Sequence, residues 1–273
     1  MLGNSWTYDT VTTRSGAAFY DVGDTWTEST PTLTQATAVL RILGGDADVD
    51  NFVMATRSNK LDVKGEVLGD KIKAIRETYL DAFFYGANSG NVRQFDGLQA
   101  LMTSTTYNTV HAGSGTGSVL SIVKLQSAID LLTGYTPELM VMTKTLRRYI
   151  NVYLDSIGDK FTSSRDAYGN MIDHFRGCQI VTDDNLLDTE TAASGAYSAA
   201  TGGANTSLFI LNFDPKAVCG IQGPQGVQTV PLGDLETKDA QRWRIKWYCS
   251  LKFEDLRSSA KVDGITATGT VTA

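Results

Sequence analysis

The chain has 273 residues, of which 42% are hydrophobic and 20% are charged, so it can form one large domain or two modest ones around a sizeable core. Its net charge of −6 argues against a dedicated nucleic-acid or membrane-surface module, because such a module normally carries a basic face or tail. The three cysteines, Cys178, Cys219 and Cys249, lie far apart and are odd in number, which favours free thiols over a disulfide framework or a zinc cluster.

The first predicted element is an extended β-arm over residues 4–43. This segment is rich in Thr, Val, Trp and Tyr, with glycine-containing breaks at "RSG" and "DVGD". Its apolar residues are too sparse for a core, and a two-stranded hairpin is marginally stable by itself in water. We therefore expect the arm to pack on another molecule, such as a second copy of the chain.

The stretch "ILGGDADVDNF" (42–52) predicts a bend at Gly44 and Gly45, followed by a strand with Asp46, Asp48 and Asp50 on one face. The predicted opposite face carries Ala47, Val49 and Val53. Carboxylates about 7 Å apart along one strand face repel each other, so basic partners are expected opposite them.

Two chemical interpretations of the same stretch fit less well. A calcium loop needs Gly at its sixth position and Glu at its twelfth, where this sequence has Asn51 and Arg57. The diguanylate cyclase signature fails at Ala47. The stretch therefore predicts no metal, cofactor or catalytic residue.

Apolar residues then recur at helical spacing from Leu61 to Tyr85, with Leu68, Ile72, Ile75, Tyr79 and Phe83 on one face. This is the longest predicted helix. Further helices are predicted from Val119 to Leu132, behind Ser118 as N-cap, and from about Lys144 to Ile157. Short core strands are predicted at "PELMVMT", "CQIVT", "SLFILNF" and "AVCGIQ".

The segment "RWRIKWYCSLKFED" (242–255) alternates between apolar and polar residues and predicts a long strand with one buried face. Its polar face offers Arg242, Arg244 and Lys246 as partners for the aspartates. The predicted fold class is α+β.

Two further motifs have weak chemical content. "HAGSGTGS" (111–118) resembles a dinucleotide fingerprint, but its third glycine position is Ser118 and it has no phosphate-loop lysine. The two histidines, His111 and His174, are too few for the usual metal site. For "HAGSGTGS", the favoured interpretation is a loop that ends in the N-cap of the next helix.

Three segments resemble the major capsid proteins of tailed bacteriophages with the Hong Kong 97-type fold. They are similar to that family's extended loop and return strand, to the phrase after its spine helix and to its late peripheral strand. The segments are "AAFYDVGDTWTESTPTLTQATAVLRILGGDADVDNFVMATRSN", "FFYGANSGNVRQFDGLQALM" and "ETKDAQRWRIKWYCSLKFEDLRSSAKVDGI".

The resemblance implies an α+β Hong Kong 97-type fold with an extended β-hairpin loop, a spine helix, a peripheral domain and an axial domain. The implied ranges are 1–48 for the extended loop, 49–118 for the peripheral domain with its spine helix at 61–85, 119–225 for the axial domain, and 226–273 for the return to the peripheral domain and the tail.

The resemblance also implies a non-enzymatic subunit that forms pentamers and hexamers in an icosahedral head around double-stranded DNA, without sequence-specific DNA binding. The implied location is the virion, after assembly in the host bacterial cytoplasm, with no membrane partner. Portal and decoration proteins are further expected partners. The family's N-terminal arm is short or missing here, so the scaffold is expected to be a separate protein or the missing segment.

Some relatives join subunits by an isopeptide bond from a lysine on the extended loop. This sequence has no lysine before Lys60, so no such cross-link is expected. Two alternatives stay open: an encapsulin-type compartment, which shares the fold and packages cargo enzymes, and a nucleotide- or metal-dependent enzyme.

Overall fold

A computed structural model of the protein describes residues 3–57, 62–113, 117–158, 161–165, 168–169, 171–191, 198–201 and 203–272. Its helices are α1 (Asn51–Arg57), α2 (Val63–Tyr85), α3 (Leu98–Leu101), α4 (Ile122–Asp130) and α5 (Lys144–Ser156). Its strands are β1 (Ser5–Thr13), β2 (Thr32–Val39), β3 (Arg41–Asp50), β4 (Thr109–His111), β5 (Leu139–Met142), β6 (Thr162–Arg165), β7 (Met171–Phe175), β8 (Cys178–Thr182), β9 (Glu190–Thr191), β10 (Ser198–Thr201), β11 (Asn205–Leu211), β12 (Val218–Asp234), β13 (Ala240–Phe253) and β14 (Ala260–Thr266).

The fold is α+β, as the sequence predicted, and the chain divides into two compact units. The first unit comprises Met1–Ser5, Ala38–Ala100 and Gly220–Leu251. The second comprises Trp6–Thr37, Leu101–Cys219 and Lys252–Ala273. Each unit is therefore assembled from distant parts of the sequence.

The first unit has a three-stranded sheet in the order β12–β13–β3, with helix α2 packed on β3. On this face of β3, Ala47 and Val49 are buried. The ring of Tyr79 on α2 lies 4.6 Å, between centroids, from the ring of Trp247 on β13. On the predicted apolar face of β13, Ile245 and Cys249 are buried and the two tryptophans are half-buried, and beyond Cys249 both faces are buried.

Helix α2 begins behind Asp62, whose carboxylate accepts a hydrogen bond of 3.0 Å from the backbone N–H of Gly65. The prediction had placed the start at Leu61, which lies outside the described residues. The predicted apolar stripe is only partly buried: Ile75 is 7% exposed, but Ile72 is 47% exposed. The three-stranded sheet covers only part of this apolar face, so Ile72 remains exposed to solvent.

The strand prediction through Val53 is wrong, because the chain turns into helix α1 directly after Asp50. The carboxylate of Asp50 accepts a hydrogen bond of 3.1 Å from the backbone N–H of Val53. A side-chain acceptor three residues before a backbone donor is the geometry of a helix N-cap, and this cap ends the strand.

The second unit contains the two-stranded sheet β1–β2 and a larger sheet in which nine strands are described. The main path of the larger sheet runs β10–β9–β11–β5–β8–β7–β6, and β14 pairs with both β11 and β4. Every residue of β11 is buried. One hydrophobic core joins this sheet to α4 and α5, with Leu125, Ile150 and Leu208 among its most buried members.

The N-cap of helix α4 is Ser121, whose hydroxyl accepts a hydrogen bond from the backbone N–H of Val123. Ser118, the predicted cap, instead forms a parallel bridge to Ile265. The backbone between them is tied to β14 and to the chain end, so the helix starts three residues later than its apolar pattern indicates. Among the described residues, no helix is long and apolar enough to cross a membrane.

Candidate assembly surfaces

The arm formed by β1, β2 and the connecting residues 14–31 presents large apolar side chains to solvent. Phe19 is 106% exposed, Val22 is 101% exposed and Trp26 is 79% exposed. The two strands carry polar side chains between them, including Thr12 and Thr34, whose hydroxyl oxygens lie 3.0 Å apart. Exposed large apolar side chains of this kind make the arm a candidate surface for binding another molecule.

The tip of the arm is ordered by contacts of its own. The rings of Tyr20 and Trp26 stack at 4.4 Å between centroids. The backbone N–H of Thr27 donates to the hydroxyl of Tyr20 at 3.1 Å, and the N–H of Asp21 donates to the carboxylate of Asp24 at 2.7 Å. The tip therefore holds Phe19 and Val22 outward in a defined shape.

A second surface is the outer face of the β3–β13 pair, where two of the predicted aspartates meet basic partners. The strands are antiparallel in an unbroken register that places Arg244 opposite Asp46 and Arg242 opposite Asp48. Both pairs are bidentate, with N–O distances of 2.7 and 2.9 Å for Asp46 and of 2.6 and 2.9 Å for Asp48.

Asp48 has a further partner that the sequence did not indicate. The Nζ of Lys238 lies 2.6 Å from its second carboxylate oxygen. Lys238 belongs to the turn between β12 and β13, so its place follows from where those strands end. No local sequence pattern marks it as a partner.

The remaining predicted residues of this face have other roles. Asp50 lies opposite Ala240 and caps helix α1. Lys246 lies opposite Gly44, with its Nζ 5.7 Å from the centroid of the Tyr248 ring. The expected pairing of aspartates with basic residues is thus found for two of the three.

These ion pairs shift the titration of both aspartates. The hydrogen bond from Arg244 lowers the pKa of Asp46, and hydrogen bonds from Arg242 and then Lys238 lower the pKa of Asp48 strongly. The pKa values of Arg242 and Arg244 are raised by the same carboxylates. Both pairs are therefore ionised through the neutral and mildly acidic range.

The predicted bend at Gly44 and Gly45 is wrong, because both glycines lie inside the continuous strand β3. A Cβ on Gly44 would overlap the backbone carbonyl oxygen of Ile245 on the neighbouring strand. A Cβ on Gly45 would lie 2.6 Å from the Cε of Lys71, at the flexible end of a side chain. Gly44 thus permits a close approach of two backbones and does not turn the chain.

The histidine motifs lie in the second unit. The Nδ1 of His111 is 2.5 Å from a carboxylate oxygen of Asp263, and the Nδ1 of His174 is 3.2 Å from the carbonyl oxygen of Ile172. Part of the "HAGSGTGS" loop, including Gly115, lies outside the described residues. Within the described part of the chain, no group of three or more His, Cys, Asp and Glu side chains is placed to hold a metal ion.

No family model and no curated protein matches this sequence. Solved structures do match it. An encapsulin complex from Synechococcus elongatus is similar with a TM-score of 0.74 and 14% identity, over 99% of this chain and 85% of that one. The capsid of a native GTA particle is similar with a TM-score of 0.69 and 12% identity, over 97% and 86%.

The structure of Mycobacterium phage Bobi is also similar, with a TM-score of 0.61 and 14% identity over 96% of this chain and 86% of that one. At these identities the likeness concerns the fold, and it extends over nearly the whole chain. The chain has the Hong Kong 97-type fold that its sequence segments predicted.

Proposed function

We propose that this chain is a major capsid protein, which assembles through pentamers and hexamers into an icosahedral head around phage double-stranded DNA. The observation that carries the proposal is the arm, whose tip leaves Phe19 and Val22 fully exposed to solvent. The Hong Kong 97-type fold supports it, because the similar structures include capsids.

The energetics of the arm favour an intermolecular role. Burying one exposed Phe or Val side chain stabilises an interface by roughly 1.5–3 kcal/mol. An arm that reaches one neighbour makes a head-to-tail contact, and such contacts close into rings when the rotation between subunits allows it. Repetition over many copies makes a modest contact sufficient for a shell.

We assign the first unit to the peripheral domain, with α2 as spine helix, and the larger sheet of the second unit to the axial domain. In this assignment residues 101–118 and 252–273, which the resemblance placed in the peripheral domain, move to the axial domain, and residues 220–225 move to the peripheral domain. Separate scaffolding, portal and decoration proteins complete the proposed head, which is located in the virion after assembly in the host cytoplasm. The net charge of −6 supports enclosure of DNA without tight binding, because numerous phosphate contacts would oppose packaging and ejection.

The proposal includes no catalytic role. Asp46 and Asp48, which carried the metal-site and cyclase alternatives, are engaged by Arg244, Arg242 and Lys238. Asp50 caps a helix. These three carboxylates therefore serve the packing of the first unit.

The proposal is tested by a matched pair of substitutions at exposed phenylalanines. Phe19→Ser removes an arm side chain that is 106% exposed, and Phe52→Ser removes one on α1 that is 70% exposed. We expect electron microscopy to show shells of tens of nanometres for the unsubstituted protein and for Phe52→Ser. We expect soluble, folded, unassembled subunits for Phe19→Ser. Normal shells from Phe19→Ser, or no particles from the unsubstituted protein when it is produced together with its scaffolding protein, would contradict the proposal.

The second candidate is an encapsulin-type compartment, and the TM-score of 0.74 to an encapsulin favours it. The contents of the particles distinguish the two functions. Particles from the native source that retain nuclease-protected double-stranded DNA support the phage head. Particles that contain a co-purifying enzyme and no protected DNA support the compartment.

A further inference from the structure

The end of strand β13 contains a lysine in an unusual setting. Lys252 lies past the point where both faces of the strand become buried, and it is 7% exposed. Its Nζ is 2.6 Å from a carboxylate oxygen of Glu254, two residues later on the chain. A buried ammonium group is costly unless it is paired, so the groups around Lys252 must stabilise its charge.

Two aromatic rings close to this ammonium group belong to the arm. The Nζ of Lys252 lies 5.7 Å from the centroid of the Trp6 ring and 5.7 Å from the centroid of the Tyr8 ring. Trp6 and Tyr8 are two residues apart on β1, so their side chains leave the strand on the same face. A single cation therefore contacts two consecutive rings of one strand face, and both distances are within the range of a cation–π interaction.

The arm needs contacts outside itself to fix its direction. A two-stranded hairpin is marginally stable alone, and most side chains of β1 and β2 are exposed. Residues Trp6–Thr37, which include Trp6, Tyr8 and most of both arm strands, belong to the same compact unit as Lys252. Thr10, the next residue on the face of Trp6 and Tyr8, is 8% exposed, which shows that this face is the one that packs.

We propose that Lys252 is a positioning residue that anchors the base of the arm, through Trp6 and Tyr8, to the C-terminal part of the chain. The anchor couples the first strand to a residue more than two hundred positions later. The arm is therefore held in its assembly-ready direction only after the end of β13 has folded. The part of this inference that concerns assembly rests on the proposed function, whereas the anchor itself does not.

Hydrogen–deuterium exchange of the unassembled subunit tests the anchor directly. Lys252→Met keeps the length of the side chain and removes its charge. We expect exchange in peptides covering 6–13 and 32–37 to accelerate about tenfold, while peptides from β11 exchange as before. Because Lys252→Met leaves Glu254 without its partner, Lys252→Met combined with Glu254→Gln is measured as well and is expected to show the same acceleration. Lys252→Arg, which preserves the cation, is expected to retain slow exchange.

The same strand provides a matched control. Lys246 also lies 5.7 Å from a ring, that of Tyr248, and neither residue belongs to the arm. Lys246→Met should leave exchange in the arm unchanged. The proposal is overturned if Lys252→Met and the double variant leave the arm's exchange unchanged, or if Lys246→Met accelerates it equally.

A further variant tests the anchor from the side of the arm and covers the case in which Lys252→Met fails to fold. Trp6→Leu removes one ring from an exposed strand and should also accelerate exchange in the arm, and unchanged exchange would count against the anchor. Assembly is measured separately: faster exchange in a protein that never forms shells would support the anchor and contradict the proposed function.

Discussion

At the scale of single residues, Gly44 shows that sheet geometry can require a residue without a side chain. Its Cβ would overlap the carbonyl oxygen of Ile245 and lie 3.0 Å from the Cα of Lys246, and both of these are backbone atoms of the adjacent strand. The neighbouring Gly45 would meet only the end of the Lys71 side chain. Two adjacent glycines therefore have different tolerance for a methyl group.

We expect Gly44→Ala to lower the free energy of unfolding by about 2 kcal/mol, because β3 and β13 must separate locally. Gly45→Ala should change it by less than about 0.5 kcal/mol, because Lys71 can move. Urea denaturation of both variants measures the difference, provided that the m-values match. Equal losses at the two positions would show that the close approach is not the cause.

The most buried charge in the second unit belongs to Lys261, whose side chain is 1% exposed. Its Nζ lies 3.8 Å from a carboxylate oxygen of Asp263. Burial lowers the pKa of Lys261 to about 8, against the opposing attraction of Asp263 and Glu190. The folded chain thus gives up this proton at lower pH than the unfolded chain does.

Because the unfolded state binds this proton up to about pH 10.5, the contribution of Lys261 to stability increases between about pH 8 and pH 10.5. The full gain is roughly 3 kcal/mol. Lys261→Met removes this titrating group and its pH-dependent contribution. The free energy of unfolding of the unsubstituted protein, relative to that of this variant, should therefore rise from pH 7.5 to pH 10. Denaturation at both pH values measures the change. Parallel pH profiles for the two proteins would contradict this prediction.

At the scale of elements, the sequence predicted those that have a strong local period. Helix α2 and strand β13 each carry an apolar pattern over more than a dozen residues, and both are present. Helix α1 was missed because one capping carboxylate, Asp50, ends a strand whose alternation would otherwise continue. Local propensity contains no information on which of these two structures is favoured.

Strand β12 was predicted only at its start, and its composition explains why. The strand contains four glycines and two prolines, Pro224 and Pro231, and both residue types are poor strand formers. It lies at the edge of its sheet, where a missing backbone donor is tolerated. Its pairing with β13 stabilises a conformation that its own residues do not favour.

The two ion pairs between β3 and β13 predict how the first unit responds to acid. Since Asp46 and Asp48 have lowered pKa values in the folded state, their contribution to stability is present above the unfolded value near 3.8 and is lost as the pH falls below it. We expect Asp46→Asn combined with Asp48→Asn to be less stable at pH 7 and to lose less further stability between pH 5 and pH 3.

Asp50→Asn is the matched control for this acid response, because asparagine retains the helix cap and Asp50 is not paired with Arg242 or Arg244. It should lose more stability in acid than the double variant does, because it retains both ion pairs. Unfolding free energies at several pH values measure all three proteins. An unchanged acid profile in the double variant would show that the pairs do not couple proton binding to folding.

At the scale of the whole molecule, the sequence predicted the arm and left the pairing of the large sheet open. The arm is visible locally because its first forty residues have too few apolar side chains to form a core. The order of the large sheet depends on contacts between distant segments, such as β4 with β14, whose register pairs Val110 with Val262. Such pairings depend on how distant segments pack together, so the sequence of a single segment does not predict them.

The composition of the arm also predicts how the proposed shell is held together. An isopeptide bond from the arm needs a lysine amine, and the first lysine of the chain is Lys60, beyond both arm strands. We therefore expect the shell to be held by non-covalent contacts alone. Mature particles boiled in denaturant should run on a gel as monomers of about the mass of one chain.

A reducing agent provides the control for that gel, because Cys219 is partly exposed, is not in a disulfide in the folded chain, and can form disulfides after lysis. A ladder of oligomers that disappears on reduction comes from this thiol and agrees with non-covalent assembly. A ladder that persists after reduction would contradict the prediction and would require a lysine outside the arm to supply the bond. In the non-covalent case the stability of the shell depends on buried apolar area, so Phe19→Ser, which removes only arm surface, should prevent assembly without weakening the subunit.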